Sequence, residues 1–155
     1  MDITRRTDYA IRLIVALIEN EGKPLSVRDA AEQQNVPYAF ARSIQHDLAL
    51  NGFTTSIRGT HGGMVLIRDP HTLTLLDLIE ALQGVVNVSI CTTSSGWCNR
   101  EETCSFHNVW EGANELLRDY LSSVSIKDIL EGKYARLTCA TSGRAAGNPI
   151  NLLLH

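Results

Sequence analysis

Long apolar runs are missing from this sequence. The longest near its start, Leu13 to Ile18, falls far short of the roughly 20 residues a membrane-crossing helix needs. A secretory signal is missing as well: MDITRRTDYAIRLIVALIEN has no apolar core followed by a small-residue cleavage site. The expected location is therefore the cytoplasm, with no membrane partner. Thiols stay reduced there, so clustered cysteines point to metal or redox chemistry rather than to structural disulfides. No Walker-type or dinucleotide-type glycine motif occurs, no serine sits in a nucleophile elbow, and carboxylates near histidines are scattered. These absences argue against an enzyme. An excess of positive charge is lacking too, since the net charge is −3. Residues 1–70 hold 8 basic and 8 acidic side chains, the remainder 6 and 9. The first half leans toward DNA relative to the second, but only weakly.

What is present is an ordinary globular composition, 44% hydrophobic and 20% charged over 155 residues. That length suits one domain with a real core, or a small domain with an extension. Over residues 5–19, Ala10, Leu13, Ile14 and Leu17 recur at helical spacing, with Asp2 or Thr4 placed to cap the start. Ser26 can cap a second, short helix whose inner residues, Val27, Ala30 and Ala31, are small. After the turn QQNVP, Pro37 opens a third helix, in which Phe40, Ala41, Ile44 and Leu48 are expected inward. Tyr38, Ala39, Arg42, Ser43 and His46 are left outward. Two helices joined by a tight turn form a helix-turn-helix, or any small helical hairpin.

The next segment favours the first, although its turn and arginine also suit any exposed hairpin. FTTSI and MVLI are strand-like runs separated by RGTHGG, a hairpin tip carrying a cation among glycines. A hairpin following a helix-turn-helix is a wing. Arg58 at its tip can enter a minor groove, while Gly59 lets the backbone approach closely and His61 suits a phosphate. The expected fold is therefore mainly α with a small β-hairpin: a winged helix-turn-helix domain over 1–83. The DNA-facing set is Ser26, Tyr38, Ala39, Arg42, Ser43, His46, Arg58, Gly59 and His61.

Another capped helix follows near Thr74, with Asp77 in support and Leu75, Leu78, Ile79 and Leu82 on one face. A longer helix is expected from about Thr103 to Ser122. Its stripe of Val109, Trp110, Ala113, Leu116, Leu117, Tyr120 and Leu121 is wide for so small a domain, and a second copy of the chain is the simplest cover. SVSIKDIL reads as a capped last turn of helix. The division is then a loop over 84–104, a dimerisation helix region over 105–130 and an extension over 131–155. That extension is expected to be flexible, with Cys139 incidental in it.

The loop holds the chain's dense chemistry. Its spacing is Cys91-x6-Cys98-x5-Cys104-x2-His107, with Ser94, Ser95, Gly96 and Asn99 making it pliable. Thiolates suit zinc, copper(I) or iron–sulfur clusters. The intervals are wider than the pinched turns of zinc ribbons, which favours a cluster over zinc. Cys104 and His107 are expected at i, i+3 at the start of the long helix, where they share a face, which makes His107 a candidate fourth ligand. Unligated thiols, or a redox disulfide with one thiol left over, remain the alternatives.

Three stretches together, ITRRTDYAIRL, SIRGTHGGMVL and the three-cysteine loop before a long helix, resemble the Rrf-two (Rrf2) family. These are winged-helix bacterial regulators that include IscR, NsrR and RirA, and the resemblance covers about residues 1–130. It implies a homodimer joined through the long helices, a two-fold symmetric double-stranded DNA operator, and one iron–sulfur cluster (2Fe–2S or 4Fe–4S) per subunit. Carried across, the cysteine ligands match Cys91, Cys98 and Cys104, the wing arginine matches Arg58, and the recognition helix matches Pro37 to Leu48. The fourth ligand matches His107 in IscR-like members and Asp8 of the partner chain in NsrR-like ones; both residues are present here. The first cysteine interval departs by one from the commonest spacing. The resulting expectation is a regulator whose operator affinity follows iron, nitric oxide or redox state. A zinc-stabilised repressor and a thiol-based redox protein acting on a protein partner are the alternatives.

Overall fold

Thr4 starts the first helix, α1 (Arg5–Glu19), its hydroxyl accepting from the Thr7 amide at 3.2 Å. The structure is a computed structural model that describes residues 2–94 and 96–134. Most of the expected extension, with Cys139, lies outside the described residues. Helix α1 buries Ala10, Leu13, Ile14, Ala16 and Leu17 as one stripe, as the periodicity requires. Ser26 caps α2 (Val27–Gln33) by accepting from the Asp29 amide at 3.1 Å, and Ala30 and Ala31 are buried where α2 meets its neighbours. The turn that follows uses Asn35 at φ 51°, a conformation asparagine tolerates.

Helix α3 (Tyr38–Leu50) has Pro37 as its N-cap and turns Ala41, Ile44 and Leu48 inward. Phe40 departs from expectation: it is 48% exposed. Small Ala41 takes the close-packed position, and the bulky Phe40 ring lies at the flank, edge-on to Tyr9 with centroids 5.8 Å apart.

Strands β1 (Thr54–Ile57) and β2 (Gly63–Leu66) pair antiparallel, Thr54 opposite Leu66 and Ile57 opposite Gly63. The wing is anchored at its base. Leu25, in the α1–α2 connection, donates its amide to the Met64 carbonyl at 3.0 Å and accepts from the Met64 amide at 2.8 Å. This close approach explains Gly63, where a β-carbon would stand 2.5 Å from the Leu25 backbone.

Thr74 opens α4 (Leu75–Gln83) with a complete capping box, Asp77 accepting from the Thr74 amide at 2.9 Å. Helix α5 (His107–Ser122) begins later than expected, because Cys104 is extended at φ −84°, ψ 110° and a separate 3-10 turn, Glu101–Thr103, precedes it. Leu121 and Leu117 pack α5 onto Ile79 and Val86 in a small second core. The last helix, α6 (Ile126–Leu130), capped by Ser125, returns Ile126 to the main core beside Leu73 and Leu78. No helix among the described residues is long and apolar enough to cross a membrane.

The Leu25–Met64 contact makes a stability prediction. Gly63→Ala must displace backbone rather than a flexible side-chain end, so it should lower the unfolding free energy by about 1–3 kcal/mol. Urea denaturation checks this, and an unchanged midpoint would contradict the anchored wing.

Candidate nucleic-acid interface and cysteine loop

Helix α3 presents Tyr38, Ala39, Arg42, Ser43 and His46 together on its exposed side, as expected. Arg58, Gly59 and His61 are exposed at the wing tip, on a connection that glycine allows at φ 116°. Gln45 donates to the Ser56 hydroxyl at 3.2 Å and ties the helix to the wing, so the two elements are held as one surface. Ser26 is engaged differently from the rest: its hydroxyl accepts from the Asp29 amide and donates to the Asp29 carboxylate at 2.7 Å. Its hydrogen-bonding capacity therefore serves the α2 cap.

Sequence reasoning missed Arg6. From α1 it donates Nε to Asp47 at 2.9 Å and Nη2 to the Ser43 hydroxyl at 2.9 Å, and it forms an ion pair with Asp47. The pair is partly exposed, so its contribution to stability is small. Its electrostatic consequence is larger, because it neutralises a carboxylate one helical turn from Ser43, on the side of α3 expected to face DNA. No local signal announces a contact between residues 41 positions apart.

The loop runs from Gly84, at φ 89°, to Phe106. Cys91 lies in a 3-10 turn, Ile90–Thr92, with its sulfur 3.2 Å from the Ser89 hydroxyl. Cys98 lies in the following bend and Cys104 after the Glu101–Thr103 turn; all three are half-buried free thiols. Asn114 on α5 fixes the start of the loop, accepting from the Val88 amide at 2.8 Å and donating to the Thr92 hydroxyl at 2.7 Å. The Gly96 amide donates to Glu101 at 3.0 Å.

His107 is the first residue of α5, and the shared helical face expected for it and Cys104 does not exist, because Cys104 precedes the helix. The imidazole Nε2 lies 3.3 Å from Glu111 Oε1, while Nδ1 is buried with no hydrogen-bond partner among the described residues. A buried, unpartnered ring nitrogen is unfavourable unless something else occupies it. Asp8, the other candidate ligand, is ion-paired to Arg12 at 3.0 Å. Among the described residues no three His, Cys, Asp or Glu side chains converge on one point. In its chemistry, however, the donor set fits a soft metal centre: three free thiols and an imidazole nitrogen lacking a partner.

A helix-turn-helix braced to a hairpin whose glycine-bearing tip carries a cation defines a winged-helix DNA-binding protein, here with a cysteine loop attached. A family model described as Rrf2, iron-dependent transcriptional regulator, matches residues 3–132, and the chain belongs to that family. It is a transcription regulator, not an enzyme. The regulator IscR of Xenorhabdus nematophila is 28% identical over 135 residues, covering 86% of this chain and 81% of its own. Two solved structures share the fold. IscR of T. potens has a TM-score of 0.66 at 20% identity, covering 88% of this chain and 93% of that one. CymR, the global cysteine regulator of B. subtilis, has a TM-score of 0.66 at 23% identity, covering 85% and 98%.

Arg6→Ala should expose the Asp47 charge and lower affinity for duplex DNA about fivefold to tenfold, or ~1 kcal/mol. Arg6→Ala with Asp47→Asn should recover most of the loss. Fluorescence anisotropy on a labelled duplex measures both; equal loss in the single and double variants would contradict the neutralising role.

Proposed function

We propose that this regulator acts as a homodimer whose operator affinity is controlled by an iron–sulfur cluster in the 84–104 loop. The observation that carries the reading is the loop's donor set, three half-buried thiols together with the buried, unpartnered Nδ1 of His107. Cys91, Cys98 and Cys104 would hold the cluster with His107 as fourth ligand, and the bound group would supply sensitivity to iron, nitric oxide or redox state. Glu111 at Nε2 would orient the imidazole, the usual role of a carboxylate behind a histidine ligand. Asp8, occupied by Arg12, is the weaker candidate.

The chain's own contacts supply a route from loop to DNA. Beside the loop, Glu80 on α4 accepts from the Val86 amide at 3.3 Å and pairs with Arg118 of α5. At the end of α4, Gln83 accepts from the Thr4 amide at 3.1 Å and from the buried Thr7 hydroxyl at 2.8 Å. Helix α1 then reaches Ser43 and Asp47 through Arg6. A shift of the loop against α4 and α5 would thus tilt the recognition helix, and two recognition helices must match the spacing of two half-sites.

Dimerisation is supported by the outer side of α5 and the residue before it, where Phe106 is 68%, Val109 60% and Leu116 50% exposed. Apolar exposure of this kind on a helix fits a second copy of the chain. Arg42 and Ser43 would read base edges in the major groove, and Arg58 the minor groove.

Three thiolates and an imidazole also suit tetrahedral zinc, which makes a zinc-stabilised repressor the second reading. Anaerobically purified protein should carry iron and sulfide with a visible absorption band. Cys98→Ala should abolish the band and His107→Ala should weaken it, while Asp8→Ala should not. Colourless protein with one zinc per chain would replace the first reading by the second, and protein free of any metal would contradict both.

A further inference from the structure

Arg28 lies on α2. Arg6, Arg12 and Arg118 each have a carboxylate partner, in Asp47, Asp8 and Glu80. Arg28 is exposed, and among the described residues it makes no ion pair. Even the adjacent Asp29 is committed elsewhere, accepting from Ser26. The guanidinium lies instead over the ring of Tyr38, 4.9 Å from its centre. An aromatic face attracts a cation without neutralising it, and it leaves the N–H fork free to bind an anion. The position matters as much as the pairing. Tyr38, Arg42 and His46 follow one another at every fourth residue along the exposed side of α3, so Arg28 stands at the head of that stripe.

We infer that Arg28, held against the Tyr38 ring, clamps a backbone phosphate of duplex DNA beside the groove that α3 enters, with Tyr38 as its positioning residue. This rests on the DNA-regulator reading and deepens it. The first helix of a helix-turn-helix crosses the DNA backbone, and phosphate contacts made there fix register without reading sequence. Tyr38, expected from the sequence as a DNA contact in its own right, acts here through its ring, and its hydroxyl is dispensable.

The test uses the full-length protein and a duplex recovered with it from a random library, with unselected duplex as comparison. Affinity is measured across a series of salt concentrations. Arg28→Ala should weaken binding to both duplexes alike, roughly eightfold per protomer at 0.1 M salt. It should also flatten the slope of log affinity against log salt by about 0.9 per protomer, the counterion-release value for one phosphate. Arg28→Lys should keep the slope, Tyr38→Phe should match wild type, and Tyr38→Leu should lose part of what Arg28→Ala loses. An unchanged slope in Arg28→Ala, or a Tyr38→Phe as weak as Tyr38→Leu, overturns the clamp while leaving the regulator reading intact. A wild-type protein that recovers no duplex overturns the regulator reading and the clamp with it.

Discussion

Burial of one side of α1 is the constraint on which the rest of the molecule depends. Ala10, Leu13, Ile14, Ala16 and Leu17 are at most 1% exposed, and the same core takes in Ile44 and Leu48 of α3, Met64 of β2, and Leu78 of α4. Each large aliphatic side chain so buried contributes about 1.5–3 kcal/mol. One helix therefore holds the recognition helix, the wing and the α4 support in a fixed relation. Its polar N-terminal turn adds two directional ties, Thr7 to Gln83 toward α4 and Arg6 to Asp47 toward α3. In the proposed mechanism α1 is both the centre of the core and the link between the sensing and reading ends.

A group of exposed apolar side chains also marks the loop and the helix that follows it. Trp97 in the cysteine loop, Phe106 before α5, and Val109, Trp110 and Leu116 on α5 are exposed, whereas the inner side of that helix rests on a core of only a few residues. In the proposed homodimer a helix so thinly supported from within would gain order from the second chain. In the proposed dimer the loop would lie between the DNA-binding domain and the α5 surface, where a change in loop shape would have most leverage on how two recognition helices are spaced.

Much of the fold was legible because its signals are local. The caps at Ser26, Thr74 and Ser125, the period of α1 and the glycine-marked hairpin each depend on residues within a few positions of one another. Phe40 was misread because periodicity records only that a side chain is apolar, and cannot tell that Ala41 fits the tight helix contact better. The late start of α5 escaped because the extended backbone at Cys104 leaves no pattern in residue type. Most opaque were the pairings that span the chain: Arg6 with Asp47, Gln83 with Thr7, Leu25 with Met64. For the cysteine loop, residue types point to metal-ligand chemistry, and only the structure shows that His107 holds one nitrogen against Glu111 and buries the other with no partner among the described residues.

In the proposed mechanism the state of the cysteine loop reaches the DNA through α4 and α1. Its most direct measurement is operator affinity of anaerobically reconstituted and metal-free protein, compared side by side in wild type and in Gln83→Met. A clear difference between the two forms is expected in wild type, shrinking toward none in the variant, with both forms still folded. A difference that persists undiminished in Gln83→Met would contradict it.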